Sequence, residues 1–361
     1  MGKTRMLRRR SSVVVSVLAL TAAVLAVTAL AASDNAYTVT NLVSDQPGVA
    51  AHTDGSLVNA WGLDALSGSP WWVADNGQAV STIYLADGST ARPPVNVPGK
   101  PTGLVANATQ SFKISSGTTT AAPLFIFATE EGKIFGWNPS LAPNDAVDAH
   151  VANTAGAIYK GLALASTTGG DFLYATDFHN GHVDVFDGTL QPADLPAGAF
   201  TDPSLPSDYA PFGIQNVSGT IVVTFAKQDA AAEDEIAGQG KGFVDAFDTS
   251  GNLLARIGQH GQLNAPWGIA QAPTEGFGRF SGDLLIGNFG DGGITAFAPR
   301  HDGNWEPDGQ LRTDNKVLSI DGLWALEFGH GTAKNGPATT LFFTAGPGDE
   351  SHGLFGTITA G

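Results

Sequence analysis

The stretch "APWGIA" at residues 265–270 decides the fold, because the chain repeats its three-residue centre at wide intervals. The central glycine, once replaced by alanine, recurs every 41 to 58 residues. Nearly even intervals of this size are typical of architectures that use one small structural unit several times. The six versions, called phrases below, are Trp61-Gly62-Leu63, Thr102-Gly103-Leu104, Lys160-Gly161-Leu162, Phe212-Gly213-Ile214, Trp267-Gly268-Ile269 and Trp324-Ala325-Leu326.

Two further short apolar runs follow each phrase, and none of them has the length or periodicity of a helix. After the fifth phrase, for example, "LLIGNFGDG" occupies residues 284–292, and Ile294 and Phe297 follow. Glycine-rich turns separate the runs, as expected of short antiparallel strands. One such sheet cannot bury both of its faces, but six arranged radially can pack on one another. The sequence therefore predicts an all-β fold, a six-bladed β-propeller with the phrases on its innermost strands.

The phrases also predict the surroundings of the axis. We expect each glycine to permit a close approach of backbones, and each flanking Trp or Phe to wedge into the gap between two blades. "AYTVTNLVSD" at residues 36–45 is an alternating run without a blade of its own. We expect it to supply the outer strand of the last blade and so to close the ring.

The N-terminal residues 1–31 have the features of a secretory signal peptide. The first ten residues carry five basic side chains and no acid, residues 13–32 are apolar except for Ser16, Thr21 and Thr28, and Ala29-Leu30-Ala31 matches a signal-peptidase site. An uncleaved anchor is the alternative, since twenty apolar residues can also span a bilayer. We expect cleavage, no stable membrane insertion, a secreted or extracytoplasmic location, and one propeller domain over residues 32–361.

Charge and cysteine content exclude several classes of function. Five of the 18 basic residues lie in the leader, so the remaining chain has 13 basic against 34 acidic residues and a net charge of about −21. Such a surface repels nucleic acid, and no nucleic-acid partner is expected. The chain has no cysteine, which excludes disulfides, thiolate metal sites and cysteine nucleophiles.

Two resemblances agree with this architecture. "APWGIA" followed by "LLIGNFGDGGI" resembles the NHL repeat. Stretches such as "NLVSDQPGVAAHTDGSLVNAWGL", "LYATDFHNGHVDVFD" and "AKQDAAAEDE" are similar to an uncharacterised family of exported bacterial six-bladed propeller proteins, some of which carry a PEP-CTERM sorting tail. This resemblance implies the fold and export, but no activity. No such tail precedes Gly361, so we expect no surface anchoring by that route.

The turns around one face of the propeller are the predicted site. In propellers of this kind, the lead-in loops before the inner strands and the loops between second and third strands surround the mouth of the axial channel, which is the default ligand site. Turn formation is the alternative for Asp75-Asn76 and for Asn288 and Asp291, and Glu233-Asp234-Glu235 is interpreted as a solvated loop. The candidate ligand-binding residues are Asp75, Asn76, Asp177, Asn180, Lys227, Asp229, Asn288, Asp291 and Asp349.

Loop histidines are the candidate catalytic groups. In "DFHNGH", residues 177–182, His179 lies at the predicted loop tip and His182 opens a strand. His52 and His352 belong to the first and last blades, so we expect that they can approach each other and Asp349 across the closure. A histidine with a pKa near neutrality suits proton transfer.

Two functions fit these observations. The first is an exported propeller that binds a small polar ligand, a glycan or a peptide at the mouth, with no catalysis assumed. The alternative is a metal-dependent hydrolase or lyase of the gluconolactonase-like class, in which Asp75, Asp177, Asn288 and Asp349 would hold a divalent cation such as Ca²⁺. Binding is favoured, because no catalytic motif is present and the metal-binding positions typical of those lactonases do not align here.

Overall fold

Six mainly antiparallel sheets of three to five strands follow one another along the described part of the chain. The computed structural model describes residues 1–2, 35–301 and 303–361, so nearly all of the predicted signal peptide lies outside the described residues. Asn35–Gly361 form one unit. Within the described residues no helix has the length and hydrophobicity needed to cross a membrane. The predicted all-β, six-bladed propeller is confirmed.

The first three blades each begin with the strand that carries a phrase. Blade 2 also holds a small hairpin, and a 3₁₀ turn, Asn76–Gln78, follows the second strand of blade 1. The strands are β3 Ala60–Asp64, β4 Trp71–Asp75, β5 Val80–Tyr84 and β6 Thr90–Asn96 in blade 1; β7 Pro101–Ala106, β10 Phe125–Thr129, β11 Ile134–Trp137 and β12 Val147–Asp148 in blade 2, with the hairpin β8 Ile114–Ser116 and β9 Thr119–Ala121; and β13 Tyr159–Thr167, β14 Gly170–Asp177 and β15 His182–Asp187 in blade 3.

The last three blades repeat the same order. Blade 5 contains a second 3₁₀ turn, Gly278–Phe280, and is followed by a two-stranded hairpin. The strands are β16 Tyr209–Val217, β17 Thr220–Lys227, β18 Phe243–Phe247 and β19 Leu253–Gln259 in blade 4; β20 Pro266–Gln271, β21 Leu284–Asn288, β22 Ile294–Pro299 and β23 Trp305–Gln310 in blade 5, with the hairpin β24 Arg312–Thr313 and β25 Lys316–Val317; and β26 Leu323–Phe328, β27 Leu341–Ala345 and β28 Leu354–Ala360 in blade 6, completed by β1 Tyr37–Ser44 and β2 His52–Thr53.

The N-terminal strand closes the ring as predicted. β1 pairs antiparallel with β28, from Tyr37 opposite Ala360 to Ser44 opposite Leu354. The buried Tyr37 hydroxyl donates a hydrogen bond of 2.9 Å to the backbone oxygen of Phe277, which belongs to blade 5. The strand therefore links the start of the propeller to its last two blades.

The phrase glycines lie where neighbouring inner strands approach most closely. A Cβ atom on Gly62 would lie 2.5 Å from the Thr102 backbone oxygen, and a Cβ on Gly268 would lie 2.5 Å from the Trp324 oxygen. In both cases the obstacle is the backbone at the first position of the next phrase. The prediction that glycine permits a close approach at the axis is therefore confirmed.

Threonine hydroxyls on the second strands complete the hydrogen bonding of the phrases. Register shifts interrupt the inner strands at or beside the phrase, as between Tyr159 and Gly161 in blade 3. The Thr176 hydroxyl fills this gap: it accepts the N–H of Gly161 and donates to the backbone oxygen of Phe212 in the next blade, both at 2.7 Å. Thr344 bridges blades 6 and 1 in the same way. One buried side chain thus joins two inner strands.

The phrase aromatics meet one another at the axis, through contacts between neighbouring as well as non-neighbouring blades. Trp61 of blade 1 stacks on Trp324 of blade 6 with ring centroids 3.6 Å apart. Trp61 also contacts Trp267 of blade 5, which is not a neighbouring blade. Phe212 of blade 4 likewise contacts Trp324. These four rings, called the aromatic plug below, meet because the inner strands converge and direct large side chains into the central space.

We predict that Gly62→Ala destabilises the propeller, because the new methyl group would meet backbone atoms that cannot move separately. Forcing extra atoms into a close-packed interior typically costs about 1–3 kcal/mol. Urea unfolding would measure the free energy of unfolding. Gly68→Ala is the matched control, since a Cβ there meets nothing within 4 Å. Equal unfolding midpoints for the two variants would contradict the proposed role of the axial glycine.

Candidate functional site

Lys160 occupies the phrase position that four other blades give to the aromatic plug, and its side chain is almost completely buried. Its ammonium group lies 2.6 Å from Glu130 Oε1 and 3.3 Å from Asp234 Oδ1. It also lies 5.2 Å from the centroid of the Trp61 ring, within the range of a cation–π contact. A cation is thus held against the aromatic plug by carboxylates from blades 2 and 4.

Two asparagines of blade 1 extend this arrangement around the axis. The side-chain oxygen of Asn59 accepts hydrogen bonds from the indoles of Trp61, at 2.9 Å, and Trp324, at 3.1 Å. The Asn59 amide donates to Glu350 Oε2 at 2.5 Å, and the Asn76 amide donates to Glu130 Oε2 at 3.3 Å. Lead-in and second-to-third loops of different blades therefore meet above the plug.

We call this group the mouth cluster. Its members come from blades 1, 2, 3, 4 and 6, and all except Lys160 belong to loops. The mouth cluster consists of Asn59, Asn76, Glu130, Lys160, Asp234, Glu235 and Glu350.

The pKa values of two carboxylates of the mouth cluster, Glu235 and Glu350, are raised, so that their charged forms are disfavoured. Burial raises the pKa of Glu235 to about 7, and repulsion by Glu350 and Asp234 adds to this effect. Burial also raises the pKa of Glu350, although its hydrogen bond to Asn59 opposes the shift. The folded protein therefore resists full ionisation at the mouth.

The ion pair at the centre of the mouth cluster behaves in the opposite way. Burial acts to raise the pKa of Glu130, but the Lys160 ammonium group outweighs it and holds that pKa below its usual value. Burial likewise acts to lower the pKa of Lys160, and Glu130 and Asp234 outweigh it, so that this pKa is raised. One ammonium group thus stabilises its nearest carboxylates but leaves the others without a comparable partner.

The three candidate histidines contact different parts of the fold. His352 Nδ1 lies 2.8 Å from Asp45 Oδ2, so the last blade meets the first lead-in loop, as expected of the closure. His52 Nε2 instead lies 3.2 Å from the backbone oxygen of Asp87 in blade 1. His179 Nδ1 lies 3.2 Å from a carbonyl oxygen in the long loop of blade 4. Their role as general bases stays a prediction.

Candidate residues at the ends of second strands hold the lead-in loops of their own blades. Asp177 Oδ1 accepts the backbone N–H of Ile158 at 3.2 Å and that of Asn180 at 3.1 Å. The Asn288 side-chain oxygen accepts the backbone N–H of Asn264 at 3.1 Å. Asp177 and Asn288 are fully buried. These contacts explain structurally why a short polar side chain occupies that position.

Asp75 takes the corresponding place in blade 1 with a different set of partners. Its Oδ2 accepts the backbone N–H of Thr82 at 2.8 Å, whereas its buried Oδ1 has no hydrogen-bond partner among the described residues. Burial raises the pKa of Asp75 well above its usual value. Nearby, the Tyr84 hydroxyl donates to Asp54 Oδ2 at 2.9 Å, which fixes the lead-in loop of this blade.

The remaining candidates lie in turns, except Lys227, which ends strand β17. Lys227 pairs with Asp208 at 2.6 Å. Asp229 and Asp291 accept backbone N–H groups of their own turns. Asp349 is exposed and has a positive φ of 52°, as polar turn residues often do. Of the predicted ligand-binding residues, only Asn76 belongs to the mouth cluster.

Asp75, Asp177 and Asn288, all predicted to hold an axial cation, accept hydrogen bonds within their own blades. Asp349, the fourth residue of that set, is exposed. In the described part of the chain, one group of three acidic or histidine ligands has its atoms within 4.8 Å of one another, namely Asp177, His182 and Asp184 of blade 3. The carboxylates of the mouth cluster are spread around Lys160 more widely. This spacing suits a group larger than a single ion.

Sequence reasoning noted the loops of the mouth cluster but did not select their central residues. Lys160 is the one charged side chain among the six residues that open a phrase, a signal present in the alignment of the repeats. Glu130 and Glu350 follow second strands, and the selected Asp177 ends one. Their direction towards the axis depends on loop conformation, which the repeat does not encode.

Known proteins resemble this chain at two levels. Uncharacterized protein R648 of Acanthamoeba polyphaga mimivirus is 33% identical over 340 residues, covering 89% of this chain and 80% of that protein. Uncharacterized protein L690 of the same virus is 30% identical over 343 residues, covering 89% and 85%. The soluble aldose sugar dehydrogenase of Escherichia coli aligns with 90% of this chain and 100% of its own at a TM-score of 0.52 and 15% identity, a likeness of fold alone. No model of a protein family matches the chain.

We predict that Glu235→Gln stabilises the protein at high pH. The pKa of Glu235 rises from 4.5 to about 7 on folding, so the wild-type protein loses stability as the pH rises through this interval, and the amide does not. The difference in free energy of unfolding should grow from about pH 4.5 to pH 7 and reach at most about 3 kcal/mol. Chemical unfolding at a series of pH values would measure it.

Glu233→Gln is the control, because Glu233 is exposed in the same loop. If the free energy of unfolding depends on pH in the same way in both variants, the fold does not disfavour the charged form of Glu235.

Proposed function

The chain belongs to the same family as the mimivirus proteins R648 and L690, and we propose that it is an exported binding propeller whose mouth cluster holds a small polar ligand through a positively charged group. The ligand class is an amine, such as the basic group of a peptide or an amino sugar. Export rests on the predicted leader, nearly all of which lies outside the described residues.

The charge imbalance of the mouth cluster is the observation that supports this proposal. Four carboxylates, those of Glu130, Asp234, Glu235 and Glu350, surround one buried ammonium group. A second cation bound beside Glu235 and Glu350 would relieve their mutual repulsion and restore their charged forms. Hydrogen bonds between an ammonium group and carboxylates are also about twice as strong as neutral ones.

The aromatic plug, which forms the floor of the mouth, also favours a cationic ligand. The Lys160 ammonium group already lies over the Trp61 ring, so the floor of the mouth accommodates a cation and its alkyl chain. Asn59 is fixed by two indoles and presents its amide to Glu350. A ligand would therefore meet a largely preorganised surface, which lowers the entropic cost of binding.

A metal-dependent hydrolase or lyase is the alternative function, and a bound divalent ion would support it. It would use a stoichiometric divalent ion at the axis and a histidine such as His352, His179 or His52 as the base. The resemblance to exported bacterial propellers stays a prediction, and the relatives R648 and L690 are viral proteins.

We predict that trilysine binds the protein in calorimetric titrations at low ionic strength, whereas triglutamate and the neutral sugar maltotriose do not. Glu350→Gln should weaken trilysine binding about tenfold, because a hydrogen bond to a charged group contributes about 1.5–3 kcal/mol. Glu233→Gln should bind like the wild-type protein, since its side chain is exposed and outside the mouth cluster.

Two results would overturn the proposal. Equal trilysine affinities for Glu350→Gln and Glu233→Gln would mean that only the general acidity of the surface attracts the peptide. Loss of binding after EDTA treatment, together with one divalent ion per chain at the axis, would favour the metal-dependent alternative.

A further inference from the structure

A second group of charged side chains lies in blade 3, apart from the mouth cluster. His182 Nε2 is 3.0 Å from Asp184 Oδ1 and 3.8 Å from Asp177 Oδ2. Thr154 Oγ1, from the lead-in loop of the same blade, lies 3.3 Å from the same ring nitrogen. Asp177 is fully buried, whereas His182 is about one-third exposed, so the group has a buried end and an end open to solvent.

The strand register brings these side chains onto one face. Asp177 and His182 are directly opposite each other in the β14–β15 pair. Asp184 follows His182 by two residues, so both side chains point to the same side of β15. The arrangement is therefore a property of the hairpin and does not depend on a flexible loop.

Surrounding groups orient both carboxylates towards the imidazole. The Tyr159 hydroxyl donates to Asp184 Oδ2 at 2.6 Å, which leaves Oδ1 facing His182. The Asn180 amide donates to Asp177 Oδ2 at 2.7 Å, and the backbone N–H of Ile158 donates to its Oδ1. Hydrogen bonds from neighbouring groups to ligating carboxylates are typical of protein metal sites.

The distances suit a single metal ion. Metal–ligand bonds of 2.0–2.2 Å place neighbouring ligand atoms about 3.0–3.4 Å apart and opposite ligand atoms about 4.2 Å apart. The separation of 3.0 Å between His182 and Asp184 matches neighbouring ligand atoms, and the 3.8 Å between His182 and Asp177 lies between the two values. An ion could therefore replace the hydrogen bond between His182 and Asp184 with only small side-chain movements.

We propose that Asp177 Oδ2, His182 Nε2 and Asp184 Oδ1 bind one divalent transition-metal ion, with Thr154 Oγ1 beside its open coordination positions. An imidazole nitrogen with two carboxylate oxygens suits ions such as Zn²⁺ or Mn²⁺ better than Ca²⁺, which prefers oxygen ligands alone. The site uses one blade only and differs from the axial cation set predicted from the sequence, with which it shares Asp177.

A metal ion at this position would fasten the lead-in loop of blade 3. It would join β14 and β15 directly, and Asp177 also holds the backbone of Ile158, two residues before Lys160. The inferred role is structural: the ion would fix the segment that carries the central lysine. The inference does not rest on the proposed ligand, because its residues lie outside the mouth cluster.

The test uses the full protein after removal of metals with EDTA and dialysis. Titration with ZnCl₂, followed by calorimetry, should show one equivalent bound by the wild-type protein, and Co²⁺ should give a visible absorption band from a site containing nitrogen. His182→Gln and Asp184→Asn should each weaken Zn²⁺ binding at least about tenfold, since even the loss of a group behind the ligands costs 10–100-fold.

His150→Gln is the matched control, because the exposed His150 and the half-buried Asp148 form a histidine–carboxylate pair 3.4 Å apart. It should bind Zn²⁺ like the wild-type protein. The unfolding midpoint of metal-free His182→Gln should equal that of the metal-free wild-type protein, and only the latter should rise when Zn²⁺ is added.

Two outcomes would overturn the site. If His182→Gln and Asp184→Asn bind Zn²⁺ as tightly as the wild-type protein, the ion is held elsewhere. If His150→Gln weakens binding as much as His182→Gln, the protein has adventitious surface binding only. Trilysine binding is unaffected by either outcome, so failure here is distinguishable from failure of the proposed function.

Discussion

The close approach of neighbouring inner strands around the axis is the constraint on which the rest of the structure depends. At Gly62 and Gly268 the backbone of the next blade occupies the space of a side chain. Threonine hydroxyls such as that of Thr176 then satisfy the backbone groups that the register shift leaves unpaired and connect them to the next blade. Because each contact joins consecutive blades, and β1 joins the last to the first, the blades stabilise one another as a closed ring.

Convergence of the strands also determines the chemistry at the centre. Four phrase residues place large rings in the axial space, and these close it as a floor. The same position in blade 3 holds Lys160, whose buried charge requires carboxylate partners because burial of an unpaired ammonium group is costly. Glu130 and Asp234 supply them from two other blades. The mouth cluster is thus a consequence of one charged residue in a ring of aromatic ones.

The repeat allowed the fold, the number of blades and the closing strand to be predicted, since these depend on strand patterns that recur in every blade. The direction of individual loop side chains could not be predicted in this way. Asn288 resembles a binding residue in sequence, yet its side-chain oxygen accepts a backbone N–H group of its own blade. Glu350, in a loop of similar composition, reaches Asn59 across the closure. Sequence spacing places a residue in a loop but does not say whether its side chain turns to the local backbone or to the axis.

The acidic residues of the chain therefore fall into two classes, according to whether the backbone or other side chains hold their carboxylates. A carboxylate that accepts backbone N–H groups, such as that of Asp229, has its charge stabilised by the turn that it forms and needs no further partner. The carboxylates of Glu130 and Glu350 are held by side chains, and their charge is balanced by the buried Lys160 and, for Glu130, also by the exposed Lys100 at 3.5 Å. The surplus of 34 acidic over 18 basic residues would not by itself identify a partner. Carboxylates held by side chains above an aromatic floor are the part of that surplus that the proposed cationic ligand would contact.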